Sequence, residues 1–292
     1  TTRYEGFTKT GFIFNKDKSL SVGWIQNITY HNQNSFFGRK KYDGTQKAYY
    51  SNVLLQWNPG LGKNTIDAGL SYKYDQYNEL LDNVNLDRTE SVPGAFMQYT
   101  YTDSDRFTGI MGIRADFHNM FGTLITPRIH IRYAINPVFT FRASAGKGYR
   151  SGNVLAENSF LLASSRKIII PANLGIEEAW NTGLSLTAQF PAGSRIMKIT
   201  GEAFRTSFIN QTIIDMDADV NEVRFYDLSG KSFSNVFQIE ASTQLFDGFD
   251  LIAALRWNDV EMTINNVLRE KPLSGRYKGL ISASWLTRLR KW

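Results

Sequence analysis

Apolar and polar residues alternate along most of this chain, and the connections between alternating stretches switch strictly between short and long. In Arg128-Ile129-His130-Ile131-Arg132-Tyr133 one face carries Ile, Ile and Tyr, and the other Arg, His and Arg. Phe139, Phe141, Ala143 and Ala145 alternate with Thr140, Arg142, Ser144 and Gly146, and Ile66, Ala68, Leu70, Tyr72 and Tyr74 with Asp67, Gly69, Ser71, Lys73 and Asp75. A period of two belongs to a β-strand with unlike faces, whereas an amphipathic helix would repeat near 3.6 residues. The pattern predicts about thirteen strands. Short connectors are expected at 15–18, 58–63, 102–105, 136–137, 191–194 and 246–248, rich in the Pro, Gly, Asn and Asp that tight turns require. Longer polar loops are expected near 31–46, 79–92, 118–125, 150–176, 211–232 and 262–273. The fold class is therefore all-β, an antiparallel up-and-down meander whose two edges face different surroundings.

That asymmetry is the one shown by transmembrane β-barrels, with short turns on the periplasmic side and longer loops outside. Strand length agrees: Arg106 to Phe117 covers the roughly 9–11 residues that a tilted strand needs to cross a bilayer. Aromatics such as Trp57, Tyr72, Tyr74, Trp257 and Trp285 stand near strand ends, where interfacial girdles form. No stretch approaches the roughly 20 apolar residues of a membrane-spanning helix. Single-chain bacterial barrels have even strand numbers, so an odd count predicts part of a larger barrel. The alternative is a soluble all-β binding module, because one buried face also gives alternation.

Composition narrows the chemistry. The chain contains no cysteine, which removes disulfides, thiolate metal sites and cysteine nucleophiles. The net charge of +6 is spread among 27 acids and forms no basic stripe, so no nucleic-acid partner is expected. Asp215-Met216-Asp217-Ala218-Asp219 imitates the start of a calcium loop, but Val220 stands where the loop needs Gly and Tyr226 where it needs Glu. Gly146-Lys147-Gly148 followed by Gly152 misses dinucleotide-loop spacing. His118 is a conceivable base without an accompanying serine motif. No catalytic, metal or cofactor residue is assigned, and no enzyme is expected.

Residues 146–166 carry a more specific signal. Gly148, Tyr149, Arg150, Asn153 and Glu157 match the G-[FY]-R-x-x-N-x-x-x-E pattern, and the segment resembles the barrels of TonB-dependent receptors. Thr126-Pro127-Arg128 before it, and Glu178-Ala179-Trp180-Asn181-Thr182-Gly183, Phe204-Arg205-Thr206 and Ser232-Phe233-Ser234-Asn235 after it, are similar to the family in the same order. The wording is most similar to receptors of Bacteroidetes-type bacteria. The resemblance covers roughly residues 90–290. It implies an active importer of the Gram-negative outer membrane, with a 22-stranded barrel, an N-terminal plug and energy from the TonB complex. In that reading residues 1–292 are part of the barrel, with the plug domain and further strands outside the chain.

The candidate functional residues follow from this expectation. Lys73, Asp75, Arg114, Asp116, Arg128, His130, Arg132, Arg142 and Glu240 should face the lumen, where charges pair with one another or with a plug. Arg150, Asn153 and Glu157 should fix the loop to the wall by resemblance, with ligand contact as the second reading. In the 31–46 loop, Phe36, Phe37 and Arg39 are ligand-capture candidates, suited by aromatic area and charge to an anionic ligand. The resemblance points to a ferric siderophore, haem or cobalamin rather than a glycan. Expected partners are the TonB complex through the missing N-terminal part, the protein's own plug, outer-membrane lipid, a small-molecule ligand and a possible surface lipoprotein. The other alternative is a passive porin-like or adhesin barrel.

Overall fold

The computed structural model describes residues 1–14, 19–38, 40–60, 62–272 and 274–286. Thirteen long strands form one antiparallel meander: β1 (Thr2–Ile13), β2 (Leu20–Phe37), β3 (Lys40–Trp57), β4 (Asn64–Leu81), β6 (Arg88–Asp103), β7 (Phe107–His118), β8 (Gly122–Ala134), β9 (Phe139–Arg150), β11 (Glu177–Ala192), β12 (Arg195–Asn210), β15 (Ser232–Phe246), β16 (Phe249–Ile264) and β18 (Tyr277–Trp285). Two short strands, β5 (Val84–Asn85) and β17 (Val267–Glu270), pair with β4 and β16. A separate three-stranded sheet joins β10 (Lys167–Ile169), β14 (Glu222–Asp227) and β13 (Thr212–Asp215). Among the described residues, β1 and β18 each pair on one side only.

Register places the alternating faces side by side. Val22, Leu55, Ala68, Met97 and Ile113 are neighbours across five successive long strands on one face. On the opposite face Gln56, Asp67, Gln98, Gly112 and Arg128 are neighbours. There Gln56 donates to Asp67 at 2.9 Å, Gln98 donates to the same carboxylate at 3.1 Å, and Arg128 donates to Gln98. The apolar face is open, with Leu70 67% exposed and Ile281 81% exposed. A soluble module would leave this continuous apolar band in water, which soluble proteins avoid; a bilayer solvates it. On β4 the band runs from Ile66 to Tyr74 before giving way to Gln76 and Asn78. Trp57, Ile66 and Tyr99 align at its short-turn end, and Tyr49 and Tyr74 at the other, as two interfacial girdles.

The short edge agrees with expectation. Gly193 and Gly248 sit in its turns at positive φ, +65° and +79°, where side chains are strained. The predicted turn at 15–18 lies outside the described residues. The long edge requires a correction. The expected loop at 31–46 is a hairpin in which β2 and β3 pair from Asn32 with Thr45 through Phe37 with Lys40. Likewise β4 and β6 extend through most of 79–92, β7 and β8 are joined by three residues within 118–125, and β16 with β17 occupies much of 262–273. The reason is solvent. Above the bilayer no face of a ladder meets hydrocarbon, so backbone pairing continues without the apolar alternation that marks strands within the membrane.

Among the described residues, 150–176 and 211–232 leave the meander and carry the small sheet of β10, β13 and β14, and their side chains help build the buried apolar clusters. Leu155 and Leu162 pack with Tyr42 and Leu81, and Leu161 packs with Val223 and Phe225. Ile213 packs with Met262 and Ile264. The core therefore sits as a cap on the long-loop edge. Within the band, Leu70→Arg is expected to cost about 2–4 kcal/mol, against nearly nothing for Asn78→Arg above it. Urea unfolding in lipid vesicles measures both, and equal costs would refute the assignment of the band.

Candidate functional site

The lumen-facing parity of β4 passes Lys73 at the upper end of the band and continues above it as Asp75, Tyr77 and Glu79, with Glu90 of β6 directly opposite Asp75. Five ionisable side chains here, Asp75, Glu79, Glu90, Asp116 and His118, are almost fully buried. Buried charges require partners. Lys73 lies 2.9 Å from Asp75 and 3.6 Å from Glu90. Arg88 lies 3.2 Å from Glu79 and 3.1 Å from Glu90, and its guanidinium stacks 4.0 Å over the Tyr77 ring. Arg114 holds Asp116 with two hydrogen bonds and donates a third to Ser71. Gly94 makes room for this pair, because a Cβ there would stand 2.0 Å from an Asp116 carboxylate oxygen.

The motif residues dock onto this network. Ser151 donates to Glu90 at 2.6 Å, and the Asn153 amide donates to Glu79 at 2.9 Å. Glu79 also accepts the Tyr42 hydroxyl at 2.6 Å. The Asn153 side chain caps the short helix α1 (Val154–Glu157) by accepting the Ala156 N–H, while Glu157 accepts the Asn153 N–H. Arg150 bridges Glu157 at 2.8 Å and donates through Nε to Glu177, its cross-strand partner, at 2.8 Å. Arg150, Asn153 and Glu157 thus come together in one cluster that clamps the 150–176 loop to the barrel wall. Each is satisfied by protein groups.

Charge and burial set the ionisation above the band. Burial works against the Glu90 carboxylate, but hydrogen bonds from Ser151 and Arg88 and the nearby Lys73 hold it below the usual glutamate range. Burial, together with the hydrogen bond to Glu79, pushes the Tyr42 phenol up. Tyr77 is pushed up to about 12, first by burial and then by Asp75 and Glu90. Glu90 therefore stays charged near neutrality, and Tyr42 stays a neutral donor to Glu79.

The other candidates separate. Phe37 is half-buried and packs against the Tyr42–Leu81–Leu155–Leu162 cluster. Phe36, the preceding residue of β2, is 73% exposed. Arg39 lies outside the described residues. His130, Arg132 and Arg142 line a separate cavity of about 410 Å³ on the lumen face near the short turns, with Lys198 and Glu202. Arg132 donates to the Asp105 carbonyl at 2.8 Å and Arg142 to Thr187 at 3.2 Å. His118 is buried, with Nδ1 accepting the Met120 N–H and Nε2 3.8 Å from Glu90. Sequence reasoning missed Glu79, Glu90, Ser151 and Glu177. Extending the inward parity from Lys73 and Asp75 would have reached Glu79; Glu90 and Glu177 become legible only through register.

The clamp has a pH signature. A carboxylate with a depressed pKa in the fold stabilises it above the unfolded value of 4.5 and loses that contribution as pH falls through the folded value. Protease resistance of the 150–176 loop should persist from neutrality down to the unfolded value and fall only below it. Glu90→Gln should expose the loop at neutral pH, with about 1.5–3 kcal/mol lost for a hydrogen-bonded charge. Loosening that sets in near neutrality in the wild type would contradict the clamp.

Comparison with known proteins follows the same architecture. The family described as TonB dependent receptor-like, beta-barrel matches residues 2–286. No curated protein sequence matches the chain. Among solved structures, the siderophore receptor PirA from Pseudomonas aeruginosa is similar with a TM-score of 0.60 at 11% identity, over 96% of this chain and 60% of that one. The ferric preacinetobactin receptor BauA from Acinetobacter baumannii gives 0.66 at 11% identity, over 98% of this chain and 50% of that one. The copper transporter OprC gives 0.66 at 12% identity, over 89% and 46%. The chain thus spans between 46% and 60% of the length of these three proteins. With residues 2–286 matched, the chain belongs to the TonB-dependent receptor β-barrel family and lies in the cell outer membrane of a Gram-negative bacterium.

Proposed function

We propose that this chain is part of the wall of an active outer-membrane importer for a scarce ligand, a ferric siderophore, haem or cobalamin, driven through the TonB complex. The observation that carries the reading is the family match over residues 2–286, on a wall whose long-loop edge is capped and whose lumen face is polar. The similar solved structures, a siderophore receptor, a ferric preacinetobactin receptor and a copper transporter, support metal-bearing cargo. In the complete protein a plug domain and roughly nine further strands would close a 22-stranded barrel around the lumen face. The basic cavity of His130, Arg132 and Arg142 would face that plug or passing cargo. Ligand capture would fall to the exposed long-loop edge, where Phe36 offers aromatic area and Arg39 adds charge. A surface lipoprotein is a further partner that this edge could accept. The work done here is binding and gated passage, with no covalent step.

The full-length receptor in cells starved of iron should accumulate labelled ferric siderophore, and a protonophore should stop accumulation while leaving surface binding intact. Uptake that survives the protonophore would favour the passive-barrel reading. Labelled haem and cobalamin in parallel would identify the cargo class.

A further inference from the structure

Along its outward face β12 carries Gly201 and Ala203, where β11 and β15 carry large apolar side chains, Leu186 beside Gly201 and Phe237 beside Ala203. The result is an apolar groove of about 570 Å³ in the lipid-facing wall, lined also by Trp257 and Tyr277. A Cβ built on Gly201 would meet nothing within 4 Å, so the groove is open space.

The next outward position on β12, one step toward the long-loop edge, is Arg205. Its guanidinium is held in place from three directions. Nε donates to Ser207 at 3.2 Å, Nη1 donates to Asn235 at 2.9 Å, and the group stacks 4.6 Å from the Phe233 ring centroid. Among the described residues it forms no salt bridge, and Nη2 makes no hydrogen bond. The nearest outward acid in register, Asp259, lies beyond Asn235 and accepts a hydrogen bond from it at 2.9 Å. An exposed cation with a free donor therefore stands where the apolar band ends, directly above an empty apolar groove.

We propose that this groove and Arg205 dock one anionic lipid of the external leaflet, with an acyl chain along Gly201 and Ala203 and its phosphate on the Arg205 guanidinium. The surface is continuous with the wall that the bilayer already covers, so a chain enters the groove without leaving the hydrocarbon. A neutral lipid would gain the groove alone. A phosphate adds a charge-assisted hydrogen bond to a donor already oriented by Asn235 and Phe233.

The test uses the full-length receptor, stripped of lipid and reconstituted in phosphatidylcholine vesicles containing a minor share of phosphatidylglycerol, with retained lipid counted by native mass spectrometry. Wild type should enrich phosphatidylglycerol about fivefold over its share in the vesicle, the worth of one basic residue near a membrane surface. Arg205→Gln should abolish the enrichment while neutral lipid stays bound. Gly201→Leu, which fills open space and should not disturb the fold, should lower retention of both lipids. Arg256→Gln, on the lumen face, should change neither. Equal retention of the two lipids by wild type, undiminished enrichment in Arg205→Gln, or full retention in Gly201→Leu would each overturn the site.

Discussion

Inside hydrocarbon no water satisfies a backbone N–H or C=O, and each unpaired group would cost several kcal/mol. This demand organises the molecule. Each long strand pairs with its sequence neighbour in the meander, without crossover, through the whole apolar band. Once the ladder is fixed, side-chain parity follows, because successive residues must point to opposite faces. Lipid then solvates Leu70, Met97 and Ile113, while the ladder of Gln56, Asp67, Gln98 and Arg128 satisfies its own polar atoms on the lumen side.

The usual stabilising core is therefore displaced. A sheet whose apolar face meets lipid has no need of a second layer within the membrane, and its buried clusters lie instead where loops fold back over the wall. At that edge the polar network is as important as the apolar packing. Glu79 and Glu90 are desolvated and are tolerable only because Arg88, Lys73, Tyr42, Ser151 and Asn153 surround them. Removing one member leaves a buried charge without compensation, which is costlier than never having placed it. Such a network specifies one position for the loop, a requirement that sliding apolar contacts would not meet. Arg150 extends it to β11 by pairing with both Glu157 and Glu177.

The strand count, the short turns and the outward faces were legible in the alternation itself, since a period of two persists wherever one face meets lipid and the other meets polar groups. Legibility failed above the bilayer. Residues 31–46 are mostly polar and lack apolar alternation, so composition resembled a loop while β2 and β3 continued as paired strands. The same failure hid Phe37, whose burial depends on Leu155 and Leu162 arriving from a loop more than a hundred residues later. Family resemblance singled out Arg150, Asn153 and Glu157, which lie together at the start of the 150–176 loop; their neighbours Glu79 and Glu90 had no local signature.

By itself the sequence determined the architecture: antiparallel strands, their approximate number, which edge carries the short turns, and which residues of each strand face lipid. These follow from nearest-neighbour parity and turn chemistry, which are local properties of a chain. Tertiary structure alone decided which lumen charges meet, because Glu90 reaches Ser151 across sixty-one positions and Asn153 reaches Glu79 across seventy-four. It alone also decided where the wall is hollow, since the groove at Gly201 exists through the large side chains that register sets beside it. Register between strands is a cooperative property of the whole hydrogen-bonded ladder, and no single segment encodes it.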